Sequence, residues 1–261
     1  MNVKEKWCKS ALTISKLPGI DYSLNPYIGC MHSCIYCYVP YVMHIKENEW
    51  KNNLYVKINM PSILKNELKR KKRGIVGIST STDAYQPVEK RYEITRKCLL
   101  LLLKNDWAID ILTKSDIVLR DIDLIKKFSN AKVGITVSTI NEENLKILEP
   151  FASPLKKRLE TLKKFSESGI YTYAFVGPVY PDMEKEDVRE FFYVLKDTGI
   201  KEIIFDKFHL KNGLAEKIFS ALPEGKRGIF KRIYRDYYEE IFYEMKNLCK
   251  DEILLTMAFS H

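Results

Sequence analysis

Three cysteines fall within eight residues, Cys30, Cys34 and Cys37, spaced C-x3-C-x2-C inside the segment N-P-Y-I-G-C-M-H-S-C-I-Y-C-Y from Asn25 to Tyr38. Thiolates are soft ligands, and three on one loop can hold three corners of an iron–sulfur cube. A four-iron cube has four corners, so one iron would keep no protein ligand and could take a small molecule carrying an amino and a carboxylate group. The competing reading is zinc, with His32, Cys8 or a distant cysteine completing a tetrahedron. Zinc ligands usually come as two separated pairs, and no second C-x2-C lies downstream. Cys98 and Cys249 sit in apolar helical contexts and read as core residues, while Cys8 has no assignment.

The chain that must position this loop has 261 residues, 46% of them hydrophobic. It is long enough for one large core, so a single domain over residues 1–261 is the default. An uncharged apolar run of about 18 residues is absent, and Lys4, Glu5, Lys6, Lys9 and Lys16 interrupt the first twenty positions. The expectation is therefore no membrane span, no signal peptide and a cytoplasmic location. Six cysteines in such a chain need not form disulfides. Lys and Arg number 43 against 34 Asp and Glu, a net charge of +9, which favours a polyanionic partner.

After a polar leader, short β-branched runs alternate with amphipathic stretches. The pattern predicts strands at Ser23–Gly29, Gly74–Thr80, Ala108–Thr113, Lys132–Val137, Tyr171–Val176 and Glu202–Phe205. Helices are predicted over Ile35–Lys46, Val88–Asn105, Arg120–Phe128, Asn141–Leu148, Leu155–Ser168, Lys185–Thr198 and Lys226–Leu248. This is an α/β chain with a parallel sheet, and the pattern fits either a partial barrel or an open doubly wound sheet. Both place reactive side chains at the carboxyl ends of the strands. Two segments bear on a nucleic-acid substrate: the basic run Lys65–Arg73, and Gly225–Tyr238, where Lys226, Arg227, Lys231, Arg232 and Arg235 alternate with Phe230, Tyr234, Tyr237 and Tyr238. The second also makes an apolar stripe at helical spacing, and packing is its favoured role.

The cysteine loop resembles that of the radical S-adenosyl-L-methionine (SAM) superfamily. With Asn25-Pro26-Tyr27, Tyr36 and Tyr38 around the cysteines, it resembles more narrowly the spore photoproduct lyase-like branch. The likeness continues through Lys16–Ser23, Ser81–Glu89, Leu112–Ser115 and Val137–Thr139, covering roughly Lys16 to Pro181. It implies a partial (β/α)6 barrel with a helical C-terminal extension, a [4Fe–4S] cluster on Cys30, Cys34 and Cys37, and SAM on the open iron. An electron donor would reduce the cluster, and hydrogen abstraction by a 5′-deoxyadenosyl radical would be the reaction class.

By the same resemblance Tyr36 would pack on the adenine, and Ser81, Lys114 and Ser138 would hold SAM. Lys114 suits its carboxylate, the serine hydroxyls its amino group or ribose. Gly177 would let the backbone approach the adenine. The lyase supplies a cysteine hydrogen donor after its second strand, whereas Gly77–Asp83 contains no thiol. The departure argues against thymine-dimer cleavage and leaves Tyr38 and Tyr85 as candidate donors or relays. The alternative reading is a non-catalytic, zinc-stabilised nucleic-acid-binding module.

Overall fold

The computed structural model describes residues 1–208, 213–230, 236–250 and 252–258. Its strands are β1 (Asn2–Lys6), β2 (Leu12–Ile14), β3 (Tyr22–Leu24), β4 (Tyr27–Ile28), β5 (Asn53–Lys57), β6 (Ile75–Ile78), β7 (Ala108–Thr113), β8 (Ala131–Thr136), β9 (Tyr171–Val176), β10 (Glu202–Phe205) and β11 (Leu254–Met257). Eight of them form one sheet in the order β11-β10-β9-β8-β7-β6-β3-β2. All neighbours pair in parallel except β2, which runs antiparallel to β3 at the edge. Among the described residues β2 and β11 do not meet, so this is an α/β partial barrel without closure.

Strand alternation sorts the side chains. In β7, Ile109, Ile111 and Thr113 are buried in the core layer, whereas Asp110 lies on the other face and meets Tyr173 of β9, its hydroxyl donating to Asp110 Oδ1 at 2.7 Å. Asp110, Leu112 and, past the strand end, Lys114 therefore line the barrel interior. The outer face is covered by helices whose apolar stripes recur at helical spacing. Ile94, Cys98, Leu99 and Leu102 are buried on Ile94–Lys104, Val188, Phe191, Phe192 and Leu195 on Asp187–Lys196, and Tyr237, Tyr238, Ile241, Met245 and Cys249 on Tyr237–Cys249. Among the described residues no helix is long and apolar enough to cross a membrane.

Several expected elements change. The strand expected over Ser23–Gly29 divides into β3 and β4 at Asn25-Pro26, because proline has no N–H for a ladder, and β4 turns away to pair antiparallel with β5. The parallel set has seven strands, β11 joining the six that the pattern predicts. A separate three-stranded sheet, β1-β5-β4, flanks the barrel.

The helix expected over Ile35–Lys46 shrinks to Val39–Val42. The amide of Ile35 is spent on the Leu148 carbonyl at 2.9 Å rather than on a helical turn. The expected Val88–Asn105 helix breaks at Glu93, whose φ is 51°. Of Lys226–Leu248, Glu224–Arg227 and Tyr237–Cys249 are helical, and 231–235 lie outside the described residues.

Candidate active site

The cysteine loop is fastened at the carboxyl ends of β3 and β6. Asn25 Oδ1 accepts the N–H groups of Thr80 and Ser81, both at 3.0 Å, which joins the two strand ends. Gly29 turns the chain with φ +97°, and a Cβ there would stand 2.7 Å from the Asn53 carbonyl oxygen, so only glycine fits. Its carbonyl accepts the Thr82 hydroxyl at 2.6 Å, and the Met31 N–H donates to Gln86 Oε1 at 2.8 Å. The segment after β6 thus grips the loop on both sides of Cys30.

The three thiols are free and partly buried. Burial, with Asp83 adding to it, pushes Cys30 up to about 12. Burial also raises Cys34 and Cys37, and Cys34 is raised further by Glu149, Cys30 and Cys37. Backbone N–H groups of His32 and Asp83 reach the Cys30 sulfur, and that of Val39 reaches Cys37. Thiols this costly to ionise alone become thiolates when a metal supplies the positive charge, and N–H groups aimed at sulfur are what bound thiolates accept. The donor set therefore fits an iron–sulfur cluster.

Among the described residues no group of three His, Cys, Asp or Glu side chains is placed to hold a single metal ion. His32 faces partners at both ring nitrogens, and Cys8 is fixed through its backbone. His32 Nδ1 lies 3.1 Å from the Phe151 carbonyl, and the Cys8 N–H donates to Asn59 Oδ1 at 2.8 Å.

His32 Nε2 sits 3.2 Å from Asp83 Oδ2, an ion-pair distance without the alignment of a hydrogen bond. Asp83 gathers the site's backbone. Its Oδ1 accepts from the Tyr85 N–H at 2.8 Å and Thr113 Oγ1 at 2.7 Å, and its Oδ2 from the Lys114 N–H at 2.9 Å. Burial disfavours this carboxylate, but His32 and the hydrogen bonds outweigh burial and hold its pKa well below the usual range.

A second buried network centres on Glu149. Its Oε1 accepts the Tyr36 hydroxyl and, at 3.0 Å, that of Ser138; its Oε2 lies 2.5 Å from Arg158 Nη1, and both side chains are essentially inaccessible. Arg158 also reaches the Ser153 and Thr136 carbonyls at 2.7 and 3.1 Å. Burial opposes ionisation of Glu149, yet Arg158, Lys114 and Tyr36 lower its pKa. Lys114 Nζ stands 5.8 Å from the Tyr36 ring centroid and 3.5 Å from Thr136 Oγ1. Burial would lower its pKa, but Glu149 and Cys34 raise it, which keeps a cation beside the cysteine loop.

The structure thus brings Tyr36, Lys114 and Ser138 together beside Cys34, with Ser81 held through Asn25 on the Cys30 side. Gly177 follows β9: a Cβ there would lie 2.3 Å from the Phe175 ring and 2.8 Å from Asp206 Cβ, so packing alone already demands glycine. Tyr38, next to Cys37 in the chain, is 44% exposed, and its pKa is raised by burial and then by Asp206 and Cys37. Tyr85 is fully buried, its pKa raised by burial and then by Asp121 and Glu89.

Reasoning from sequence gave no role to His32–Asp83 or Glu149–Arg158. Asp83 and His32 lie within the quoted motifs, whereas nothing local marks Glu149 and Arg158. Among the described residues Ser79 Oγ, Arg158 Nη2, Tyr180 OH and Asp182 Oδ1 are buried without a hydrogen-bond partner near the carboxyl strand ends, which leaves room for a polar group.

The two basic segments lie elsewhere. Lys65–Arg73 precedes β6 and so lies at the amino ends of the strands. Phe230, Tyr237 and Tyr238 are buried, in keeping with packing, and Lys226 binds Asn144 Oδ1 at 2.7 Å; Lys231, Arg232, Tyr234 and Arg235 lie outside the described residues.

An uncharacterized protein of Methanocaldococcus jannaschii is 39% identical over 176 residues, 67% of this chain and 66% of that protein. Spore photoproduct lyase complexed with dinucleoside spore photoproduct superposes with a TM-score of 0.73 at 15% identity, covering 98% of this chain and 82% of the lyase. Streptococcus suis SuiB bound to the precursor peptide SuiA gives 0.59 at 14% identity, covering 94% of this chain and 50% of SuiB. The family model described as the radical SAM superfamily matches residues 24–195, the stretch that carries the cysteine loop, β6 to β9 and both buried networks. By that match, and by a loop built to hold thiolates at the carboxyl ends of a partial barrel, the chain belongs to the radical SAM superfamily.

Proposed function

We propose that this radical SAM enzyme holds a [4Fe–4S] cluster on Cys30, Cys34 and Cys37, binds SAM beside it, and acts on a nucleic acid in a DNA-repair-like reaction. The observation that carries the reading is the set of three free, partly buried thiols on one loop with the Lys114 cation and the Tyr36–Ser138–Glu149 network next to Cys34. Once bound, the two cofactors supply reductive cleavage of the sulfonium and a 5′-deoxyadenosyl radical able to take hydrogen from an unactivated C–H bond. The protein's part is binding and placement. Lys114 pairs with the SAM carboxylate, Ser81 and Ser138 serve its amino group or ribose, Tyr36 and the backbone at Gly177 flank the adenine, and Tyr38 stands ready to donate or relay hydrogen.

An external electron donor reduces the cluster, and the chain works as one domain, residues 1–261, with a helical C-terminal extension. A net charge of +9 favours a polyanion over a peptide, and the lyase of like fold is complexed with a dinucleoside. The thiol-free segment Gly77–Asp83 argues for a reaction other than photoproduct cleavage.

The test is anaerobic reconstitution with iron and sulfide, dithionite reduction, and EPR with and without SAM for wild type and Cys34→Ala. A reduced-cluster signal that changes on adding SAM and is lost in Cys34→Ala is expected. One zinc per chain and no cluster would overturn it. Release of 5′-deoxyadenosine with oligonucleotides but not with peptides is expected for the substrate class.

A further inference from the structure

The flanking sheet β1-β5-β4 has a buried inner face and an outer face partly open to solvent. Leu54 and Val56 on the inner face are fully buried. The outer face carries Asn53, Tyr55 and Lys57 of β5 with Lys4 and Lys6 of β1, set by the parallel register Lys4↔Tyr55 and Lys6↔Lys57. Lys4 and Lys6 both lean over the Tyr55 ring, 5.6 and 5.3 Å from its centroid.

Among the described residues neither ammonium has a carboxylate within ion-pair distance, and the nearby acids are engaged. Glu49 accepts the Tyr55 hydroxyl at 2.6 Å and Asn53 Nδ2 at 3.0 Å, and Glu5 accepts the Tyr92 hydroxyl at 3.1 Å. Trp7 follows Lys6 and is 76% exposed, a large aromatic face left to solvent. The surface also adjoins the chemistry, since Tyr55 pairs with Ile28 of β4, two residues before Cys30.

We propose that the outer face of this sheet, with Lys4, Lys6 and Tyr55, and the exposed Trp7 that follows β1 at its end, is a docking platform for a single-stranded nucleic acid, an inference that rests on the nucleic-acid reading above. Successive phosphates meet Lys4 and Lys6, which stand on the same face of an extended strand about 6.6 Å apart. An unpaired base stacks on the Trp7 indole. A duplex keeps its bases inside, so the exposed indole favours a single strand. The platform feeds the strand past β4 toward the cysteine loop, whereas the basic run Lys65–Arg73 sits at the opposite pole and does not.

The full chain, purified anaerobically with its cluster, is titrated against a fluorescein-labelled single strand of about twelve nucleotides and against the matching duplex, by anisotropy across a range of salt. Trp7→Ala is expected to bind the single strand about tenfold more weakly and Trp7→Phe to retain most of the affinity, because the aromatic face rather than the indole N–H is used. Lys4→Gln/Lys6→Gln should lower the salt slope by about 1.4, from about 0.7 per phosphate contact on a single strand. Lys69→Gln/Lys72→Gln, at the far pole, should change the slope less. These residues are exposed, and unchanged melting curves would confirm intact folds.

If wild type binds the single strand and both platform variants bind it equally well, the platform is wrong while the nucleic-acid reading stands. Tighter binding of the duplex also overturns the platform. If wild type binds neither oligonucleotide and only anionic phosphatidylserine vesicles compete for the surface, the platform falls. In that case 5′-deoxyadenosine release with oligonucleotides decides the nucleic-acid reading separately.

Discussion

The two poles of the barrel both bury polar side chains and treat them in opposite ways. At the amino pole, Tyr173 donates to Asp110 at 2.7 Å, while Tyr171 and Thr256 donate to the two Glu202 oxygens at 3.1 and 2.9 Å. Lys132 lies 4.7 Å from the Tyr171 ring centroid. None of these side chains leaves a buried polar atom unpartnered. At the carboxyl pole, His32, Lys114 and Arg158 stand among Asp83 and Glu149, and orphan atoms gather there.

The charge states follow. Burial raises Asp110, which has mainly a phenol to help it, whereas Glu149 is lowered because Arg158 and Lys114 outweigh burial. Asp182, at the carboxyl pole but served by Asn144 and Thr139 instead of cations, is raised by burial like Asp110. Neutral donors close a floor; cations hold charge ready at a mouth. The second arrangement costs folding energy and suits a site that must receive ionic groups.

Arg158→Met should break this contrast most severely. It strips a buried carboxylate of its nearest cation while keeping the volume, and a loss of about 3–5 kcal/mol is expected by urea unfolding. At the amino pole, Tyr173→Phe removes a neutral donor from a partly buried carboxyl that, among the described residues, has no close ion-pair partner. A loss of about 1–2 kcal/mol is expected there. Equal losses at the two sites would mean that the poles do not differ in how charge is held.

Much of the barrel is legible because its strands are short β-branched runs bounded by turns. β7, β9 and β10 fall at the predicted boundaries. The cysteine loop is legible because ligand spacing is local. β1 is not, since N-V-K-E-K has one apolar residue and is exposed throughout, leaving no hydrophobic period, and its partner β5 lies some fifty residues on. The Ile35–Lys46 segment misleads for a different reason. Its pattern is helical, but the loop spends its amides on sulfur, on turns and on Leu148. Glu149 and Arg158 meet only because β8, the helix Glu142–Leu148 and the helix Leu155–Glu167 fold back on one another, and no spacing rule encodes that return.

The smallest effect is the sharpest test, because it has opposite signs at the two poles. Glu149 has a folded pKa below its unfolded value, so its contribution is present above about pH 4.3 and lost as pH falls through the folded pKa. Asp110 has a folded pKa above its unfolded value, so its contribution is full below about pH 3.9 and lost as pH rises through the folded pKa. In the cluster-free chain, the stability difference between wild type and Glu149→Gln should therefore widen from acid to neutral pH. For Asp110→Asn the same difference should shift in the variant's favour over that range. Each substitution also adds a constant offset, but only the group's own protonation gives a slope. If both differences shift in the variant's favour as pH rises, measured by urea midpoints at matched pH, burial alone governs both carboxyls and the cations at the mouth are too well screened to hold Glu149 ionised.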